Sequence, residues 1–311
     1  MRLRHRCNSS VATPGRRTSL EPDAAAPAGI ESLENFMPIA NLKSGLEIYY
    51  EIHGAGEPVL LLMGTGADHT FWQPQIGPYS ERFQLIVIDA RGTGRSSRPK
   101  AYLKTTARAM AQDAAQLLDV LGIEKVHLGG MSIGASVAQE FAIAWPERLL
   151  SLSLHCSWAK SDEWFIRAIE TIEYPASMGD VRTYLRFALM WVLSPRFFAE
   201  RPDEVHAIVD RYIDDNPYPP SKEGILGHTN ADKLHDVLDR LPLIRTRTLV
   251  TAGEMDWLVP PRYSEVVARA IPGARYHLFR GDFASHCACV EMAQEWNRVT
   301  MGFIAETQAR P

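Results

Sequence analysis

Residues 126–134, Val-His-Leu-Gly-Gly-Met-Ser-Ile-Gly, constrain this chain more than any other stretch. An apolar run with strand character leads straight into Gly130-Met131-Ser132-Ile133-Gly134. Residues 135–144 then read as a helix that buries Val137, Ala138, Phe141 and Ala142. A strand, Gly-x-Ser-x-Gly and a helix in succession demand a sharp turn with the serine at its apex. A residue in that place sits in strained backbone, its hydroxyl pushed out of the chain's path. The flanking glycines let neighbouring elements pass where a Cβ would clash. A structural turn and a nucleophile both satisfy the local pattern, so the rest of the chain must separate them.

Buried runs recur on either side. Val59-Leu-Leu-Leu-Met63 is uninterrupted apolar sequence, as in a strand covered on both faces, and residues 83–89 read as a second buried strand. Residues 46–52 alternate as a strand before the turn at Gly54-Ala-Gly-Glu-Pro58. Helical spacing links Trp72, Ile76 and Tyr79, and again Met110, Ala114, Leu117, Leu118 and Leu121, with Gly122 as a C-cap. Strands at 126–128 and 150–154 flank a helix stopped at Trp145-Pro146. From Lys160 to Leu241 the strand pattern is lost. Trp164, Phe165, Ile169 and Ile172 fall on helical periods, as do Leu185, Leu189 and Val192, and prolines punctuate the segment. The alternation returns with a strand at 247–252, a helix at 263–270, a strand at 276–279 and a closing helix over about 289–306.

Strands separated by helices predict an α/β fold with a mostly parallel sheet covered on both sides. Ligands then sit beyond the carboxyl ends of the strands. The division expected is a core at 37–159 and 242–311, with residues 160–241 inserted as a helical cap over that edge.

With 311 residues the chain can bury a large core as one domain with an insertion. A net charge of -4 with scattered basic residues gives no polyanion surface. The arginines and aromatics interleaved between Trp164 and Phe187 read as amphipathic helices, so no nucleic-acid partner is expected. No apolar run approaches roughly 18 residues, so no membrane partner is expected either. Residues 1–36 carry five arginines and then an alanine-rich stretch without an apolar core for export. They are expected to be a disordered tail on a cytoplasmic protein. Cys7, Cys156, Cys287 and Cys289 make no disulfide framework, and no Cys/His cluster suggests a metal. Gly92-Thr-Gly94 lacks the spacing of a dinucleotide loop, so no cofactor is expected.

Three residues meet the post-strand rule: Ser132, Asp256 in Gly253-Glu-Met-Asp-Trp, and His286 in Gly281-Asp-Phe-Ala-Ser-His. A serine hydroxyl needs a base within hydrogen-bond reach. Histidine titrates in the right range, and a carboxylate on its other nitrogen fixes the tautomer and stabilises the imidazolium. Glu254 and Asp282 are the competing acids. His69 and Trp158 are candidate substrate contacts, whereas His127, inside a strand, reads as a core histidine. His228 and His235 stand isolated in the insertion, with no chemical part expected of either.

At this point the chain resembles the serine hydrolases of the α/β-hydrolase fold, whose order is nucleophile, acid, histidine. Ser132, Asp256 and His286 follow that order, and Asp89-Ala-Arg-Gly-Thr-Gly-Arg-Ser96 resembles the family's Asp-x-Arg-Gly-x-Gly-x-Ser loop. The likeness spans roughly residues 42–308. It implies a helical cap at 160–241 and an oxyanion hole from the N–H groups of Ile133 and, by family position, Thr65. Met63-Gly64 stands where His-Gly is common, a variant that resembles enol-lactone hydrolases and polyketide methylesterases. The activity expected is hydrolysis of a hydrophobic small-molecule ester or lactone, with water as the second substrate. Two alternatives are carbon–carbon hydrolysis of a vinylogous diketone and a non-catalytic small-molecule receptor on this scaffold.

Overall fold

The uninterrupted apolar runs become central strands because helices wait on both faces to cover them. Val59, Leu61, Leu85 and Val87 face one way, and Leu60, Leu62, Ile86 and Ile88 the other, and all are buried. That split follows the two-residue period of a strand. The computed structural model describes residues 38–308; the tail expected at residues 1–36, with Cys7, lies outside them.

The strands are β1 (Ile39–Asn41), β2 (Glu47–His53), β3 (Pro58–Leu62), β4 (Gln84–Ile88), β5 (Val126–Met131), β6 (Leu149–His155), β7 (Thr248–Gly253) and β8 (Arg275–Phe279). Among the described residues they form one eight-stranded sheet in the order β1-β2-β4-β3-β5-β6-β7-β8. β2 runs antiparallel to β1 and β4, and the remaining pairs are parallel. Helices α1 (Gln73–Ser80), α2 (Ala107–Val120) and α3 (Ile133–Ala144) connect the first strands. α9 (Pro261–Ala270) lies between β7 and β8, and α10 (Ala288–Glu291) and α11 (Ala293–Gln308) close the chain. Where one closing helix was expected, the chain breaks at Met292, which leaves helical geometry at φ -122, ψ 36.

Two other departures have local causes. β1 is only three residues long, too short to show a period, and exists through its register with β2. β5 runs on through Gly129 and Gly130 to Met131, although glycine weakens strands. Its neighbours supply the ladder: Gly130 pairs with Leu62 on one side and Leu154 on the other.

Between β6 and β7 come α4 (Glu163–Ser177), α5 (Val181–Val192), α6 (Pro195–Glu200), α7 (Pro202–Ile213) and α8 (Lys222–Leu234). The Asp162, Asp180, Ser194 and Ser221 side chains cap α4, α5, α6 and α8 by accepting from first-turn N–H groups. Each such cap contributes about 1 kcal/mol. Pro195 and Pro202 open α6 and α7, where the missing N–H has no partner to lose. No helix among the described residues is long and apolar enough to cross a membrane.

Candidate active site

The sheet order places the decisive loops side by side. From β3 the chain moves outward to β4, whereas β5 pairs on the opposite side of β3, so the loops after β3 and β5 meet at a switch point. Ser132 follows β5 directly at φ 56, ψ -124, a left-handed setting for a residue with a Cβ. Its N–H donates to the His155 carbonyl at 3.0 Å, and its carbonyl accepts from Ala135 at 2.8 Å. Gly134 is required here for close approach, since a Cβ on it would lie 2.2 Å from the Leu62 carbonyl oxygen. The loop after β3 passes the serine so closely that a Cβ on Gly64 would come within 3.3 Å of Ser132 Cβ.

The loops after β7 and β8 are laced together. Glu254 N–H donates to Phe279 and Met255 N–H to Ala284, each to the carbonyl, at 2.9 and 2.8 Å. This brings Asp256 to His286, with Oδ2 at 2.8 Å from Nδ1. The other carboxylate oxygen accepts from Val259 N–H at 2.8 Å, so both are used. Glu254 instead turns outward to Arg280 and the Gly281 N–H, and Asp282 is exposed. Cys156, itself left-handed at φ 50, donates its thiol to the His286 carbonyl at 3.2 Å. Burial pushes that thiol up, so it stays protonated beside the pair.

Ser132 and His286 line one cavity of about 100 Å³, walled by Met63, Leu258 and residues of α4, α5 and α8. Among the described residues Ser132 Oγ makes no hydrogen bond, and the His286 ring is bonded only through Nδ1 to Asp256. The backbone N–H groups of Thr65 and Ile133 also have no acceptor among the described residues.

Neither His69 nor Trp158 lines the Ser132 cavity. His69 does not, because Asp89 Oδ1 accepts from its N–H and meets its Nδ1 at 2.6 Å, and Glu51 holds Nε2 at 3.1 Å. Burial disfavours its charge, but the Asp89 and Glu51 carboxylates outweigh that and raise it to about 9. It faces a second cavity of about 580 Å³ that shares Phe71, Leu189, Tyr212 and Cys287 with the first. Trp158 is fully buried against Phe165, ring centroids 4.5 Å apart, and its indole N–H donates to Ser161; it packs the insertion against the sheet. His127 is a core residue held by Ser151 and Glu57.

Three residues of the insertion enter the site without any signal in the sequence. Asp232 Oδ2 accepts the Thr65 hydroxyl at 2.7 Å and His228 Nδ1 accepts the Gly66 N–H at 3.1 Å. Tyr212 donates to the Gly66 carbonyl and accepts from the Asp68 N–H. Asp232 also lines the Ser132 cavity, its Oδ1 unpartnered among the described residues, and burial pushes its carboxyl up to about 7.

Residues 57–291 match the family model described as alpha/beta hydrolase fold. The chain belongs to that family. Among its relatives is RutD of Azorhizobium caulinodans, named as a candidate carbamate hydrolase. It is 33% identical over 260 residues, covering 84% of this chain and 96% of the relative. A thermophilic esterase from Thermogutta terrifontis superposes with a TM-score of 0.76 at 26% identity, over 87% of this chain and 98% of the esterase. The enol-lactonase of Burkholderia xenovorans shares the fold, with a TM-score of 0.75 at 24% identity over 86% and 100% of the two chains. The alpha/beta hydrolase match makes hydrolysis the reaction class.

Proposed function

We propose that this hydrolase cleaves a carboxylic ester or lactone through an acyl-enzyme on Ser132. The observation that carries the reading is the Asp256–His286 pair, which shares a cavity wall with a serine held at a left-handed apex. His286 Nε2 takes the Ser132 proton as Oγ attacks the carbonyl carbon. Asp256, bonded to Nδ1, keeps the imidazole in the tautomer that can do so. The carbonyl oxygen becomes an oxyanion, for which the unpaired N–H groups of Thr65 and Ile133 are the donors; each typically contributes about 3–4 kcal/mol. His286 then protonates the leaving alkoxide as the tetrahedral adduct collapses. Water, deprotonated by His286, releases the acid and restores the serine.

Residues 160–241 serve as the cap. The small, largely apolar inner cavity suits a compact acyl group, and the adjoining 580 Å³ space suits the larger leaving portion. A second reading, hydrolysis of a carbamate, is favoured by the unpartnered Asp232 Oδ1, an acceptor for an N–H beside the scissile carbonyl.

A panel of short esters, lactones, carbamates and a meta-cleavage diketone, run on wild type and Ser132→Ala, tests the proposal. Esters or lactones should be turned over fastest, with a loss of at least about two to three powers of ten in the variant. Turnover that survives Ser132→Ala refutes the acyl-enzyme; preference for carbamates or for the diketone replaces the substrate class.

A further inference from the structure

We propose that the insertion sets the oxyanion loop: Tyr212, His228 and Asp232 are positioning residues that hold the Thr65 N–H in place beside Ser132. This rests on the acyl-enzyme reading above.

The loop from Gly64 to Asp68 belongs to no strand or helix. Its own backbone supplies a single turn bond, Ala67 N–H to the Gly64 carbonyl at 3.2 Å. Tyr212, His228 and Asp232 hold four further polar groups from the insertion: the Thr65 hydroxyl, the Gly66 N–H and carbonyl, and the Asp68 N–H. The three side chains that hold them are buried, so water does not compete for the bonds. His228 and Asp232 stand four residues apart on α8, one turn above the other on the same face, and grip consecutive loop residues.

Each grip is itself fixed. His228 Nε2–H donates to the Arg91 carbonyl at 2.7 Å, which leaves Nδ1 as the acceptor that the Gly66 N–H needs. Burial holds this imidazole down to about 4, so it remains a neutral acceptor at ordinary pH. α8 is seated closely on the loop after β4, because its Gly224 meets Gly92 backbone to backbone: a Cβ on Gly224 would lie 2.0 Å from the Gly92 carbonyl oxygen. The residue before Gly64 is Met63, whose side chain offers the loop no strong hydrogen bond. The loop's geometry is therefore imposed from the insertion.

The test compares Asp232→Leu, Asp232→Asn, Thr65→Val and the Asp232→Leu/Thr65→Val double variant. Readouts are kcat and KM on p-nitrophenyl acetate, inhibition by trifluoroacetophenone, whose serine adduct carries an oxyanion, and urea stability. Asp232→Leu and Thr65→Val should each lower kcat by about 30–100-fold, leave KM within about threefold, and weaken the ketone by the same factor as kcat. The double variant should be no worse than either single one, since both remove one bond. Asp232→Asn keeps an acceptor for the Thr65 hydroxyl and should recover most of the loss. The proposal is overturned if folded variants keep kcat and ketone affinity within about threefold, or lose urea stability alone. Should Asp232→Leu fail to fold, Thr65→Val decides, since it breaks the same bond from the loop side. Ser132→Ala runs alongside: if it stays active, the acyl-enzyme reading fails, whatever Asp232 does.

Discussion

Replacing Ser132 by glycine and by alanine separates the strain of the turn from the chemistry of the hydroxyl. Both variants lose Oγ, the proposed nucleophile. Only alanine keeps a Cβ at φ 56, ψ -124. A side chain forced into such a region carries on the order of 1–3 kcal/mol. Glycine escapes that strain but loses about 0.5–1 kcal/mol more chain entropy on folding than alanine. The Cβ lies beside Gly64 on the wall of an existing cavity, so its removal widens open space rather than sealing a new void. Central values leave Ser132→Gly more stable than Ser132→Ala by about 1 kcal/mol. With a urea dependence of about 2–3 kcal/mol per molar, the midpoint should rise by about 0.3–0.5 M. Equilibrium unfolding followed by tryptophan fluorescence measures it, with both variants inactive toward esters. If Ser132→Gly is instead weaker than Ser132→Ala by the ordinary glycine penalty, the apex is not strained and the reasoning fails.

Glu51→Gln should loosen the His69 pair in a pH-dependent way. His69 is raised from 6.5 to about 9, so its contribution is complete below pH 6.5 and lost as pH climbs through 9. Glu51 is lowered from 4.5 to about 2, chiefly by its bond to His69, so its share is complete above 4.5 and lost as pH falls through 2. The stability gap between wild type and variant should therefore be widest between pH 4.5 and 6.5, and the His69 proton resonance should titrate lower in the variant. A gap that is flat from pH 4 to 9 would contradict this. Gly134→Ala should abolish soluble folded protein or shift its urea midpoint by well over 1 M, because its Cβ meets rigid backbone of β3. A Gly134→Ala protein with a wild-type midpoint would show that α3 can slide away from β3.

The letters of the sequence carried the parts of the fold that rest on local pattern. Val59 to Met63 and Leu85 to Ile88 announce two-sided burial by having no polar residue to place outside. Ser132, Asp256 and His286 stand out because each comes just after a strand, and strand ends are where a parallel sheet gathers its loops. Direction is another matter. His69 follows the loop after β3 closely in sequence, yet Asp89, twenty positions on, turns it away from the serine. Trp158 ends beside the site, but its indole N–H needs an acceptor and finds Ser161 within the insertion's packing. His228 stands isolated in the sequence of the insertion, and nothing in the local pattern marks Asp232. Their partners are 162 and 167 positions away, and only the docking of α8 brings them to Gly66 and Thr65.

The meeting of Gly92 with Gly224 divides the insertion by its freedom to vary. Anything larger at Gly224 would lever α8 away from the neighbouring loop, so mutation has little room there. α5 and α6, by contrast, offer Leu189 and Phe197 to the larger hollow, with no such backbone seam described for them. A lineage drifting toward new molecules, or a laboratory selecting for them, should collect its accepted changes along those two helices and leave α8 almost untouched.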